Sequence, residues 1–183
     1  MEFWPVKIDW DIYRECLANG EFVPQACRRD FTCKAPPDAG SWNAALSDYF
    51  PMLQPCLPEE VRNAIGPFIG AIATCGIKDW PWPNDAPESL GDDVEMESIE
   101  IGLLYSPATV HNLVQAFSSI SSDRMMDAIS RAWENKSDNP DDFRLSSIEH
   151  FESPEEFCEY VFEWLGPFQE AAGSGHGIGI GGG

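Results

Sequence analysis

Residues 94–117 read VEMESIEIGLLYSPATVHNLVQAF, and the fold class turns on how that stretch divides. Its first half alternates. Val94 and Met96 are interleaved with Glu95 and Glu97, then Ile99, Ile101 and Leu103 resume the apolar side one residue out of phase. A period of two marks a half-buried strand, and a slip of one residue predicts a bulge or a strand that begins near Ser98. At Ser106-Pro107 the period changes. Serine caps helices and proline suits the first helical position, after which Val110, Leu113, Val114 and Phe117 recur at helical spacing. A strand over 94–105 feeding a helix, in a chain otherwise rich in helical patterns, predicts a helix-rich α/β fold of the α+β kind. The expected arrangement is a single domain over residues 1–183 with a small sheet.

Working outward, the N-terminal half (1–78) reads as helical. Asp9 caps a short helix to Ala18, stopped by Asn19-Gly20. Ser41 caps a second, with Trp42, Ala45, Leu46 and Tyr49 on one face and Pro51 at its end. Pro58, followed by Glu59 and Glu60, opens a third with Val61, Ile65, Phe68, Ile69 and Ile72 inward. Gly66-Pro67 is expected to kink or divide it. On the C-terminal side, Ser121 or Ser122 starts a helix carrying Met125, Met126, Ile129 and Trp133. Ser153-Pro154-Glu155-Glu156 is a capping box for the longest helix, with Phe157, Tyr160, Val161, Trp164, Leu165 and Phe168 on one side. Gly173 is its expected stop, and His176–Ile180 a last strand weakened by glycine.

Charge narrows the function. The chain has 31 acidic residues against 11 basic ones, a formal net charge of −20. The imbalance is local: from Asp79 to Asp123 there is no Lys or Arg. That span opens with DWPWPNDAPESLGDD (79–93), a loop by its prolines, and carries Asp85, Glu88, Asp92, Asp93, Glu95, Glu97 and Glu100. Such a field repels nucleic acid and anionic lipid and speeds encounter with basic proteins. Trp80 and Trp82, large rings set among carboxylates, fit the pattern of interface anchors, or else fold back onto the core. No apolar run reaches the ~20 residues that span a bilayer, and Met1-Glu2-Phe3-Trp4-Pro5 is no secretory leader, so a cytoplasmic location is expected.

Catalytic chemistry finds little support. His111, His150 and His176 are too far apart for a helical metal pair, and no HExxH, GxSxG or Walker pattern occurs. Cys16, Cys27, Cys33, Cys56, Cys75 and Cys158 lack zinc spacing, and their apolar neighbours favour buried free thiols over disulfides. No metal or cofactor is expected, and the chain reads as a non-enzyme.

From Leu103 to Ile180 the chain resembles the C-terminal half of the YfbM-like family of uncharacterised bacterial proteins. Leu104-Tyr105-Ser106-Pro107 with Val110 and Ala116-Phe117 looks like that family's strand-to-helix entry. Pro154-Glu155-Glu156 before Tyr160, then Phe168, Ala171-Ala172 and the 175–180 tail, look like its closing helix and strand. The resemblance implies a bacterial α/β fold without assigned catalytic residues, some of whose relatives look like immunity proteins. Together with the acidity, this leads to the expectation of an immunity or antitoxin protein that occludes the active site of a basic bacterial toxin. The expected contacts are Trp80, Trp82, Asp85, Glu88, Asp92, Asp93, Glu95, Glu97 and Glu100, with neither nucleic acid nor membrane as partner. A nucleic-acid-mimicking inhibitor, an enzyme of unrecognised type and a housekeeping domain are the alternatives.

Overall fold

The slip at residues 97–98 separates two strands. In the computed structural model, β3 (Val94–Met96) and β4 (Ile99–Tyr105) run antiparallel with Met96 opposite Ile99. Of the two outcomes expected at the slip, the later strand start is the one found. A separate register shift, which the sequence reading does not anticipate, lies between β4 and the last strand, where pairing jumps from Ile101 to Leu103 and skips Gly102. The structure describes residues 3–19, 27–28, 39–73, 94–96, 99–136 and 150–182. Among them are six α-helices and a five-stranded antiparallel sheet, a helix-rich α+β architecture.

The chain gathers into two compact units. The first comprises Met1–Ala39, Ala86–Val114 and Glu163–Gly183. It holds the sheet, in the order β2-β1-β5-β4-β3, where β1 is Phe3–Ile8, β2 is Cys27–Arg28 and β5 is Gly177–Gly182. The N-terminal half therefore begins with a strand, where the sequence reading has only helix. The run is short, and Pro5 hides its pattern. Proline is tolerated there because β2 pairs only with Lys7 and Ile8, so Pro5 lies in a stretch with β5 as its one described neighbour.

The glycine-rich β5 lies at the centre of this sheet, between β1 and β4. Its alternation explains how that works. Gly177 and Gly179 pair with Ile8 and Val6 on one side, and Gly179 with Leu104 on the other. Val6, Ile8 and Leu104 form a buried cluster with Tyr13 of α1 (Trp10–Asn19), against which Trp10, Ile12 and Cys16 pack. A Cβ on Gly177 would come within 2.6 Å of the Tyr105 carbonyl oxygen and 2.9 Å of the Trp10 ring. Glycine in the middle strand is thus what lets α1 approach. Ile178 and Ile180, both fully buried, occupy the alternate positions. Ile178 pairs with Lys7 and Tyr105; Lys7 Nζ donates to Glu170 Oε1 at 2.5 Å, and the Tyr105 ring meets Phe168 at 6.4 Å. Both partners belong to α6 (Pro154–Ser174), so the sheet carries α1 on one face and the end of α6 on the other.

Local signals set the helix ends. Ile12 N–H donates to Asp9 Oδ1, the cap the sequence announces for α1. Ser106 caps α4 (Pro107–Ser118) through the Thr109 N–H. At the end of α6, Gly175 stands at φ 71°, with His176 N–H on the Ala171 carbonyl and Gly175 N–H on that of Ala172. That is the bonding of a Schellman stop. The stop is therefore Gly175 and not the expected Gly173, because only the former takes the left-handed conformation.

The second unit, Gly40–Asp85 with Gln115–Phe162, is helical among the described residues. It contains nearly all of α2 (Ala39–Leu53), a 3₁₀ turn at Gln54–Cys56, α3 (Glu59–Ala73), α5 (Ser122–Asn135) and the first turns of α6. Pro51 and Pro67 both lie inside helices that continue past them, so neither ends nor divides its helix as expected. The core is aromatic. Tyr49 stacks on Trp133 at 5.3 Å and meets Phe151 edge-on, Phe151 touches Phe157 and Tyr160, and Phe117 joins Phe68 to Phe162. One polar pair is built into it: Tyr160 Oη donates to Asn43 Oδ1 at 2.6 Å. Half of the expected capping box of α6 forms: Ser153 Oγ accepts from the Glu156 N–H, but Glu156 Oε2 accepts from the Glu152 N–H, one residue before the cap, and not from that of Ser153.

Candidate functional site

Of the residues expected to meet a partner, Glu95 and Glu100 fall on described backbone. Trp80, Trp82, Asp85, Glu88, Asp92, Asp93 and Glu97 lie outside the described residues. Glu95 on β3 and Glu100 on β4 are direct cross-strand partners, the middle pair of a three-pair ladder. Like charges at directly opposed register positions destabilise a strand pairing by up to about 1 kcal/mol. On its other side Glu100 pairs with Gly182. Two like charges thus occupy neighbouring positions in the last strand pair of the sheet. No Lys or Arg lies between Asp79 and Asp123 to offset them.

The histidines stand apart from one another in the sequence and in their surroundings. His111 is exposed on α4, and His150 is exposed just before the buried Phe151. His176 Nδ1 lies 2.8 Å from Ser174 Oγ. That hydroxyl is also 2.9 and 3.2 Å from the carbonyl oxygens of Glu170 and Ala171, to which it donates at the helix end. The arrangement ties down the chain where α6 turns into β5. Among the described residues, no three His, Cys, Asp or Glu side chains come together in a way that would hold a metal ion. No helix among them is long and apolar enough to cross a membrane.

The thiols divide. Cys158 is buried in α6, and burial, then the nearby Glu155 and Glu159 carboxylates, push its thiol up to about 12. It is a packing residue, as its apolar neighbours suggest. Cys56, on the 3₁₀ turn, is exposed, against the expectation of buried thiols; its Sγ lies 3.4 Å from the Asn135 carbonyl oxygen. The turn places it on the surface because Gln54-Pro55-Cys56 buries no residue at all.

Cys56 also lines a pocket of about 330 Å³ in the helical unit. The first turn of α3 contributes Pro58, Glu60 and Val61, and α5 contributes Arg124, Asp127, Ala128 and Arg131. The α5 residues follow an i, i+3, i+4, i+7 pattern and so share one face of that helix. Ser121 starts α5 by accepting the Arg124 N–H, which sets the rotation of that face. Arg124 Nη2 donates to Glu60 Oε1 at 2.5 Å, and Arg131 Nη2 to Asp127 Oδ1 at 3.0 Å. Glu60's carboxyl is held below its ordinary range, first by its own backbone N–H and then by the hydrogen bond from Arg124. Sequence reading missed this group. The spacing on α5 was visible, but what completes the pocket, Cys56 and Glu60, comes from more than 60 residues earlier in the chain.

No family model matches the chain, and neither a curated protein nor a solved structure is found similar to it.

Proposed function

We propose that the chain is an acidic protein-binding domain: a cytoplasmic immunity or antitoxin protein that neutralises a basic bacterial toxin by covering its active site. One observation carries the reading, the Glu95–Glu100 register pair inside a span without a basic residue. A register that pairs two acidic positions is relieved when opposite charge arrives, and the Lys and Arg side chains of a partner supply it. The same charge speeds encounter with a cationic surface at low ionic strength. Asp85, Glu88, Asp92, Asp93 and Glu97 extend the acidic stretch in sequence, and Trp80 and Trp82 are the proposed anchors. The resemblance to the YfbM-like family, with its immunity-like relatives, agrees with this proposal.

The test is capture from the native host's lysate at low and at high salt. The wild-type chain is compared with the quadruple variant Asp92→Asn, Asp93→Asn, Glu95→Gln, Glu97→Gln. The expected result is a basic protein retained at low salt, released at high salt, and associating at least about tenfold more slowly with the variant. An unchanged association rate at low salt rejects this surface, and recovery of no basic protein rejects the function.

A further inference from the structure

We propose that the pocket between the first turn of α3 and the exposed face of α5 binds a small organic anion through a carboxylate or phosphate group. This site is independent of the acidic span. It sits where the charge of the chain is locally cancelled: Glu60 and Asp127 are matched by Arg124 and Arg131 around one cavity. At physiological salt the screening length is about 8 Å, so an approaching anion responds chiefly to the charges that line the cavity, two of each sign.

The two guanidinium groups are seven residues apart on one helix face, about 10 Å along the axis. Each is held by a carboxylate of the protein itself. Among the described residues both carboxylates engage only the Nη2 nitrogen. The Nε and Nη1 N–H groups of each fork make no hydrogen bond to another described residue, and a planar fork of this kind is suited to bidentate recognition of carboxylate and phosphate oxygens. Glu60 on Arg124 shows that an oxyanion is accepted at this position. Val61 and Ala128 border the cavity on its apolar, core-facing side. The volume, about 330 Å³, lies at the small end of what ligand pockets occupy.

Cys56 makes the proposal measurable, because an exposed thiol on the pocket wall reports occupancy. The experiment follows alkylation of the Cys56 peptide in the full chain by iodoacetamide, using mass spectrometry at fixed pH. It is run in inorganic phosphate, in acetate and in chloride of matched ionic strength. At two-thirds occupancy the thiol reacts about threefold more slowly. Protection by phosphate or by acetate, absent in chloride, is the expected result, and which of the two protects names the ligand group. In the double variant Arg124→Lys, Arg131→Lys, which keeps both charges and loses the forks, the protection should disappear. Equal rates in all three salts overturn the proposal. So does protection that persists in the double variant, since a charge effect without fork recognition would then account for it.

Discussion

The two compact units reach a dense interior by opposite means. In the helical unit large rings fill the space: Phe68, Phe117, Tyr49, Phe151, Phe157 and Tyr160 contact one another directly. In the sheet unit side chains are removed, and β5 uses glycine so that backbone and the Trp10 ring can close on it. Interiors are packed as tightly as organic crystals, and there are two ways to get there, adding volume or withholding it. The difference teaches where each unit is vulnerable. One should fail when volume is lost, the other when volume is gained.

The largest effect should come from subtraction in the helical unit. Phe68→Ala removes a fully buried ring that packs on Phe117, and urea denaturation should show a loss of about 3–5 kcal/mol. The mirror experiment adds one methyl to the sheet. Gly177→Ala should cost about 1–3 kcal/mol, because the Cβ meets a main-chain oxygen that no rotamer change can move. Adding Trp10→Ala should not restore the loss, and full rescue would show that the ring and not the strand sets the limit.

Two neighbouring glycines sharpen the comparison by separating crowding from backbone strain. Gly175 has open space around it but a φ of 71°, so Gly175→Ala should cost about 1 kcal/mol through strain alone. Gly173 has open space, lies inside α6 and has no left-handed φ; Gly173→Ala should raise stability by about 0.5–1 kcal/mol. Three glycines spaced two apart should thus give a large loss, a small loss and a gain. The same ordering in thermal melts would confirm the three separate reasons.

Within the helical unit the cysteines should differ in thiol reactivity. At pH 8 Cys56 should alkylate in the native state while Cys158 does not, since a thiol near 12 is ionised in only about one molecule in ten thousand. The buried thiol also carries a pH dependence. Above its ordinary value of 9 the unfolded chain releases the Cys158 proton while the fold retains it, so stability falls as pH rises from 9 toward 12. Cys158→Ala should flatten that part of the profile.

Much of the helix placement in both units was legible because its signals are local. The caps at Asp9, Ser106, Ser121 and Ser153 act within one turn of their own position, and each has the expected backbone partner. The apolar stripe of α3 emerges buried from Val61 to Ile72. The hairpin between β3 and β4 was harder, because a two-residue break in an alternating run looks like a slip of phase. Strand β1 escaped entirely, since Phe3–Ile8 gains meaning only from β5, more than 160 residues away.

The sequence by itself determined where most helices begin (α2 excepted, since it starts at Ala39 ahead of the expected Ser41 cap), which faces are apolar, and that the span from Asp79 to Asp123 carries acid without base. These follow from side-chain chemistry acting over a few residues. Only the tertiary structure decided that the glycine-rich tail is the central strand, that Glu95 faces Glu100, and that Cys56 and Glu60 share a pocket with Arg124 and Arg131. Those are pairings between distant segments. No local preference encodes them, because their free energy exists only once the chain has closed the loops that bring them together.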